Sequence, residues 1–422
     1  MNRFLTPAGM NRRHFMRHLA GAAAFTAPAL SLTRALEAGA ATMKRNHKSA
    51  ILLWMGGGPP TIDIWDLKAG APTGGPFSPI ATAGEMQISE LLPGLAEHMD
   101  KLSVVRSMST READHERGTY YMHTGYVPNP NVQHPSYGAV VAHELEPQAK
   151  GLEIPPFVSI GGSSEGPGFL GMAYAPFQVD SNGNVRNLRM PVEERRMAQR
   201  LALLDTVESR FIGQKRGEAA TDHAKVLAKT RSLLTSEQMA AFKLQSEPEN
   251  MRETYGQTGF GRGCLLARRL VEAGVPFVEV NFGGWDLHQN CFDSLQNKLP
   301  EMDKAMSALM GDLQQRGLLE DTIVIWMGEF GRTPNINGNA GRDHFARAWS
   351  AVVGGGGLNG GLAIGETSAD GARVVTEPYS AEDLMATVCQ GLGISLQTTF
   401  TSGNGRPMKI ANGGKVIREL FS

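Results

Sequence analysis

Residues 321–327, reading Asp-Thr-Ile-Val-Ile-Trp-Met, form the stretch that most constrains the fold. After its first two residues the run is apolar and rich in β-branched side chains, with no polar residue alternating through it. That pattern marks a strand buried on both faces, and such strands belong to parallel sheets covered by helices on either side. Comparable runs fall at residues 50–55, 102–106, 157–160, 275–281 and 349–353, with helical patterns between them. Strands that alternate with helices imply an α/β fold with a mainly parallel sheet.

In such a sheet the ligand site lies beyond the carboxyl ends of the strands. The residues just past Met327 therefore face it, and Glu329 is the first acidic one. Asp343 and His344 follow fourteen and fifteen residues later. Asp286 and His288 stand after the 275–281 run and a Gly283-Gly284 turn. Carboxylate oxygens and imidazole nitrogens of this kind hold hydrolytic metals, so Asp286, His288, Glu329, Asp343 and His344 are expected to form one metal site. Each also has an ordinary reading; Asp343, for instance, can pair with Arg332 or Arg342 instead. Arg332, within Gly-Arg-Thr-Pro, suits a bidentate clamp on phosphate or sulfate.

The first forty residues set the compartment. Arg12 and Arg13 precede Phe15, residues 19–32 are weakly apolar, and Ala38-Gly39-Ala40 offers a cleavage site. This order is that of a twin-arginine export signal, so residues 1–40 are expected to be removed or to tether the chain. No other stretch approaches the roughly twenty apolar residues of a spanning helix. The expected location is the periplasm or outside the cell, with the twin-arginine translocase as a partner during export.

Forty-one basic and 42 acidic residues give a net charge of -1, which offers nothing for a nucleic acid to bind. The three cysteines, Cys264, Cys291 and Cys389, lack metal-type spacing and read as buried apolar residues. Residues 191–273 are almost purely helical in pattern, and a helical insertion is expected over about 186–273, with helices from Pro191 to about Phe211 and over residues 220–234, 236–244 and 261–272. Glycine runs follow several strand-like segments, at 56–58, 161–162 and 354–357. None carries the phosphate-loop lysine or the dinucleotide glycine spacing, so nucleotide binding is not expected.

Several longer motifs carry a resemblance. They are MGGGPPTIDIWDLK at residues 55–68, DHERGTYYMHTGY at 114–126, Trp285-Asp286-Leu287-His288, DTIVIWMGEFGRTP at 321–334, GRDHF at 341–345 and GRP at 405–407. Together they resemble the bacterial exported proteins grouped as domain of unknown function 1501, over nearly all of the chain after the signal. That family is similar to the alkaline phosphatase and sulfatase superfamily. The resemblance implies a three-layer α/β/α sandwich over residues 41–422, one or two metals beyond the strand ends, and hydrolysis of phosphate or sulfate esters. It implies a divalent ion (zinc, manganese or calcium) and a small-molecule or polysaccharide ester as substrate.

The resemblance also assigns residues. Glu329 stands where the superfamily has a ligating aspartate, and Phe330 where it has a histidine. Counting back from Thr124-Gly125, the position of the sulfatase nucleophile falls on His115, a group able to ligate, transfer protons or accept a phosphoryl group. The first strand, which ends in a metal-binding aspartate in the superfamily, here ends in three glycines, leaving Asp63 and Asp66 further along as substitutes. Those departures keep a rival open: a non-catalytic periplasmic binding or assembly protein on the same fold.

Overall fold

The structure is a computed structural model that describes residues 47–185, 194–213, 233 and 236–422. The export signal expected over residues 1–40 and the helix expected over 220–234 lie outside the described residues, apart from Leu233.

Eight strands form one sheet. In chain order they are β1 (Ser49–Trp54), β2 (Leu102–Met108), β3 (Phe157–Ile160), β4 (Phe177–Val179), β5 (Phe277–Asn281), β6 (Thr322–Met327), β7 (Trp349–Gly355) and β8 (Ala363–Ile364). Across the sheet the order is β8-β2-β7-β6-β1-β5-β3-β4. At the centre β1 runs parallel to both neighbours, pairing Trp54 with Asn281 of β5 and with Met327 of β6. Their carboxyl ends are thus level, and the loops that follow them open on the same side. β7 alone runs antiparallel, to both β6 and β2.

Helices cover both faces, as the unbroken apolar runs require. Among the described residues the α-helices of eight or more residues are α1 (His115–Thr124), α2 (Tyr137–Glu144), α3 (Glu194–Gly213), α4 (Gly259–Glu272), α5 (Cys291–Gln315) and α6 (Ala381–Gly391). Alternate residues of β1 point to opposite sides. Ile51 and Leu53 join a cluster with Leu266 and Leu270 of α4 and with Leu299, Met302 and Met306 of α5. Ala50, Leu52 and Trp54 join a second cluster with Val140 and Val141 of α2 and with Leu384 and Val388 of α6. Burying one such large side chain contributes about 1.5–3 kcal/mol, so two full clusters hold the sheet between its layers. This is the three-layer α/β/α sandwich.

Two expectations are refined. α4 lies within the stretch read as a helical insertion, yet its buried face packs against α5 and the sheet, so it belongs to the main body. Residues 236–244, expected to be an α-helix, instead form a 3-10 turn at Glu237–Phe242. The three cysteines are buried free thiols. Among the described residues no helix is long and apolar enough to cross a membrane.

Candidate metal centre

Three loops meet beyond the ends of β1, β5 and β6, and the amino terminus of α1 closes over them. Their approach depends on glycine. Gly57 has φ +117°, and a Cβ there would lie 2.6 Å from the Asp286 nitrogen; Gly58 has φ +67°, and its Cβ would lie 2.7 Å from the Phe330 ring. The glycine run after β1 thus lets two loops press together where a side chain would part them.

Asp286 is the hub of the polar cluster. Its Oδ1 lies 3.0 Å from His288 Nε2, 3.2 Å from His344 Nε2 and 3.3 Å from His115 Nε2. His288 Nε2 and His344 Nε2 are 3.1 Å apart. One ligand atom each from His115, Asp286 and His344 all lie within 4.8 Å of one another. The edge of a zinc tetrahedron with bonds near 2.05 Å is roughly 3.3 Å, so the spacing suits a small divalent ion.

The far side of each imidazole is fixed. His115 Nδ1 meets Glu329 Oε1 at 2.6 Å, His288 Nδ1 meets Asp343 Oδ1 at 2.7 Å, and His344 Nδ1 meets the Ala113 carbonyl at 2.8 Å. In the neutral rings, each acceptor takes the Nδ1 proton and leaves an Nε2 lone pair aimed inward. His115 Nε2 is buried and without a hydrogen-bond partner, as an atom kept for a ligand would be. Phe330 forms an apolar wall, its ring 5.1 Å from that of His115 and 4.8 Å from that of His344.

Charge is arranged to match. Burial opposes ionisation of Asp286, but the Arg332 hydrogen bond and charge, with help from His344 and His115, hold its carboxyl well below the usual range. The hydrogen bond to Glu329 outweighs burial and raises the His115 imidazole. The His288 hydrogen bond lowers the Asp343 carboxyl.

The residues named from sequence therefore separate by position. Asp286, His288, His344 and His115 converge. Glu329, expected as a ligand, is buried behind His115, where its Oε1 also accepts from the Gly57 N–H at 2.9 Å. Asp343 stands behind His288. Arg332, expected as an anion clamp, is buried with its guanidinium directed inward: Nε donates to the Gly58 carbonyl at 2.7 Å, Nη1 to the Arg342 carbonyl at 3.1 Å, and Nη2 to Asp286 Oδ1 at 2.6 Å and to the Gly57 carbonyl. It ties Asp286 to the glycine loop instead of facing a substrate.

Asp63 and Asp66 point elsewhere. Asp63 binds Arg342 through both oxygens, at 2.7 and 2.8 Å, in a pair whose side chains are fully buried. Asp66 binds Lys68 at 2.9 Å and Thr367. Both carboxylates are engaged by these partners because the long glycine-rich turn after β1 carries them past the strand end. Of the remaining histidines, His134 stacks on Tyr126 and hydrogen-bonds Tyr120, and His143 pairs with Glu144.

Sequence reasoning overlooked Asn337, whose Nδ2 donates to the His288 carbonyl at 3.0 Å and to Asp343 Oδ1 at 3.2 Å. Nothing in its Asn-rich turn marks it. It also overlooked the carbonyl of Ala113, which only the fold brings to His344.

A chain with this sandwich belongs to the α/β/α class, and its polar cluster lies beyond the carboxyl ends of the central strands. The chain is a member of the family described as "Protein of unknown function (DUF1501)", which it matches over residues 47–421. No curated protein matches it. Among solved structures it is similar to the PsFucS1 sulfatase from Pseudoalteromonas sp., with 11% identity, TM-score 0.40, and coverage of 82% of this chain and 68% of that one. It is similar to a protein in the alkaline phosphatase superfamily from Vibrio parahaemolyticus, with 14% identity, TM-score 0.40 and coverage of 87% and 69%. It is also similar to the alkaline phosphatase from the Antarctic bacterium TAB5, with 12% identity, TM-score 0.37 and coverage of 82% and 98%. Likeness at this level says nothing of activity, for which the side chains themselves are the guide.

Proposed function

We propose that the chain is an exported, metal-dependent hydrolase of phosphate or sulfate esters, with His115, Asp286, His288 and His344 holding one divalent ion. The observation that supports this most strongly is the set of three imidazole Nε2 atoms around one Asp286 oxygen at 3.0–3.3 Å, each ring fixed from behind. A donor set richer in nitrogen than in oxygen favours zinc over calcium, which takes six to eight oxygens. When bound, such an ion polarises an ester oxygen and stabilises the charge that develops on it.

The residues divide the remaining work. Glu329, Asp343 and the Ala113 carbonyl hold three Nδ1 protons and so orient the rings. Arg332 keeps Asp286 ionised and in place. The His288 side chain is 43% exposed, so the position its Nε2 would ligate lies at the solvent boundary, where an ester can reach it. Phe330 excludes water from beneath His115 and His344. Export through the twin-arginine translocase, on the Arg12-Arg13 signal, delivers the folded chain to a compartment where small-molecule or polysaccharide esters are accessible.

The second reading, a non-catalytic binding or assembly protein, is favoured by two observations: the Arg332 guanidinium is spent inside the protein, and by the resemblance His115 stands where the superfamily has its nucleophile. Purified protein loaded with zinc or manganese and offered generic aryl phosphate and aryl sulfate esters separates the two. Turnover lost in His288→Ala supports the hydrolase; metal binding without turnover of either ester class supports the rival.

A further inference from the structure

A cavity of about 580 Å³ adjoins the Asp286 centre and shares His115 with it. Small-molecule sites span roughly 300–1,000 Å³, so its volume suits part of a small ester. One side of it is the surface of α1. His115 and Thr119 stand four residues apart on one stripe of that helix and Glu116 and Tyr120 on the next, so the wall runs along α1 from the centre outward. Pro128, in the loop after α1, and Glu165, in the loop after β3, supply further parts of the wall.

The chemistry of this wall is one-sided. Glu116 is exposed and Glu165 half-buried, and neither makes a hydrogen bond or salt bridge with another described residue. Arg117 borders the cavity too, but Glu112 grips its guanidinium through both carboxylate oxygens, at 2.6 and 3.0 Å. Arg332 is turned inward and adds no charge here. The Tyr120 hydroxyl is committed to His134, accepting from its backbone N–H at 2.9 Å and meeting its Nδ1 at 2.8 Å, which leaves the phenol ring to the cavity. Two unpaired carboxylates and an aromatic ring attract a cation and repel an anion. Burial raises the Glu165 carboxyl, so that group gains from a cation brought beside it.

We infer that this cavity receives the leaving part of the ester and selects one that bears an ammonium group, as in an amino-alcohol ester, with Glu116 and Glu165 as the residues that set the preference. A neutral leaving group is accepted less well, and one with a second anionic group least. The inference rests on the hydrolase reading of the centre, whose ion would take the phosphoryl or sulfuryl oxygens while the rest of the ester lies along α1. Its content is specificity, which neither the fold nor the Asp286 cluster fixes.

Binding tests it without requiring turnover. Full-length, zinc-loaded chain is titrated calorimetrically with three phosphonates that resist hydrolysis and differ only at the far end: aminopropyl, butyl and carboxypropyl phosphonate. The amine is expected to bind about tenfold tighter than the butyl compound, and the carboxylate weakest of the three. In the double variant Glu116→Gln, Glu165→Gln, with circular dichroism as the check on folding, the advantage of the amine should shrink to about threefold or less. Should that variant not fold, Glu116→Gln alone, at an exposed position, should still narrow the ratio. Equal affinity for the amine and butyl phosphonates in wild type, an advantage that survives the substitutions in folded protein, or binding of none of the three would overturn the inference. Failure of the hydrolase reading looks different: no aryl ester is turned over, while the amine keeps its advantage in binding and the cavity stands as a site for it.

Discussion

At the scale of single residues, the proposed metal centre depends on groups that would not touch the ion. A histidine ligand is useful only when its other nitrogen is fixed, and Asp343 does this for His288 at 2.7 Å. Asp343→Asn is expected to weaken zinc affinity about 10–100-fold without abolishing it, as loss of an outer carboxylate does. Calorimetric titration checks this, and an unchanged affinity would free Asp343 from the role. Asp66→Asn is expected to leave zinc content untouched, because Lys68 and Thr367 hold that carboxylate away. That Asp286, His288 and His344 would come together was legible in the sequence, since loops past neighbouring parallel strands open on the same side. The division of labour between Glu329 and His115 was not. The two meet at 2.6 Å from positions 214 residues apart, and no local pattern says whether a strand-end carboxylate reaches the ion or the ring in front of it.

At the scale of elements, the loops after the strands carry the constraint. Gly57→Ala forces a side chain into left-handed backbone and against Asp286, which should cost about 1–3 kcal/mol and lower zinc affinity together. Thermal unfolding and titration on one sample test that coupling; a stable variant with normal affinity would deny it. Removing one partner of the fully buried Asp63–Arg342 pair, as in Asp63→Asn, should destabilise the fold by about 3–5 kcal/mol. On the opposite layer, α4 places Arg268 against Glu247 at 2.7 Å and Asp312 at 2.8 Å. Burial would raise the Glu247 carboxyl, but Arg268 and Arg269 hold it below its ordinary 4.5. Its contribution is therefore complete above that value and disappears as pH falls through the lower folded one. Glu247→Gln should cost about 1.5–3 kcal/mol near neutral pH, and the gap to wild type should narrow as pH falls below the ordinary 4.5 and close once it is beneath the lower folded value. Urea unfolding across pH measures it; a gap that persists in acid would contradict the assignment. The central strands were legible because burial on both faces leaves an unbroken apolar run. β4 and β8 were not: three and two residues at a sheet edge carry too little pattern. Nor does sequence reveal that β7 runs antiparallel, since its neighbours bury it as fully as the rest.

At the scale of the whole molecule, the sandwich brings α1 and three strand-end loops, drawn from distant parts of the chain, to one point on its surface. A net charge of -1 gives no electrostatic argument for a polyanionic partner. The central claim is that His115, Asp286, His288 and His344 hold a divalent ion, and zinc content per chain tests it most directly. Elemental analysis of purified wild type, His288→Ala and His344→Ala, with folding verified, should show both variants one ion poorer than wild type. Wild-type zinc content in either folded variant would contradict the account.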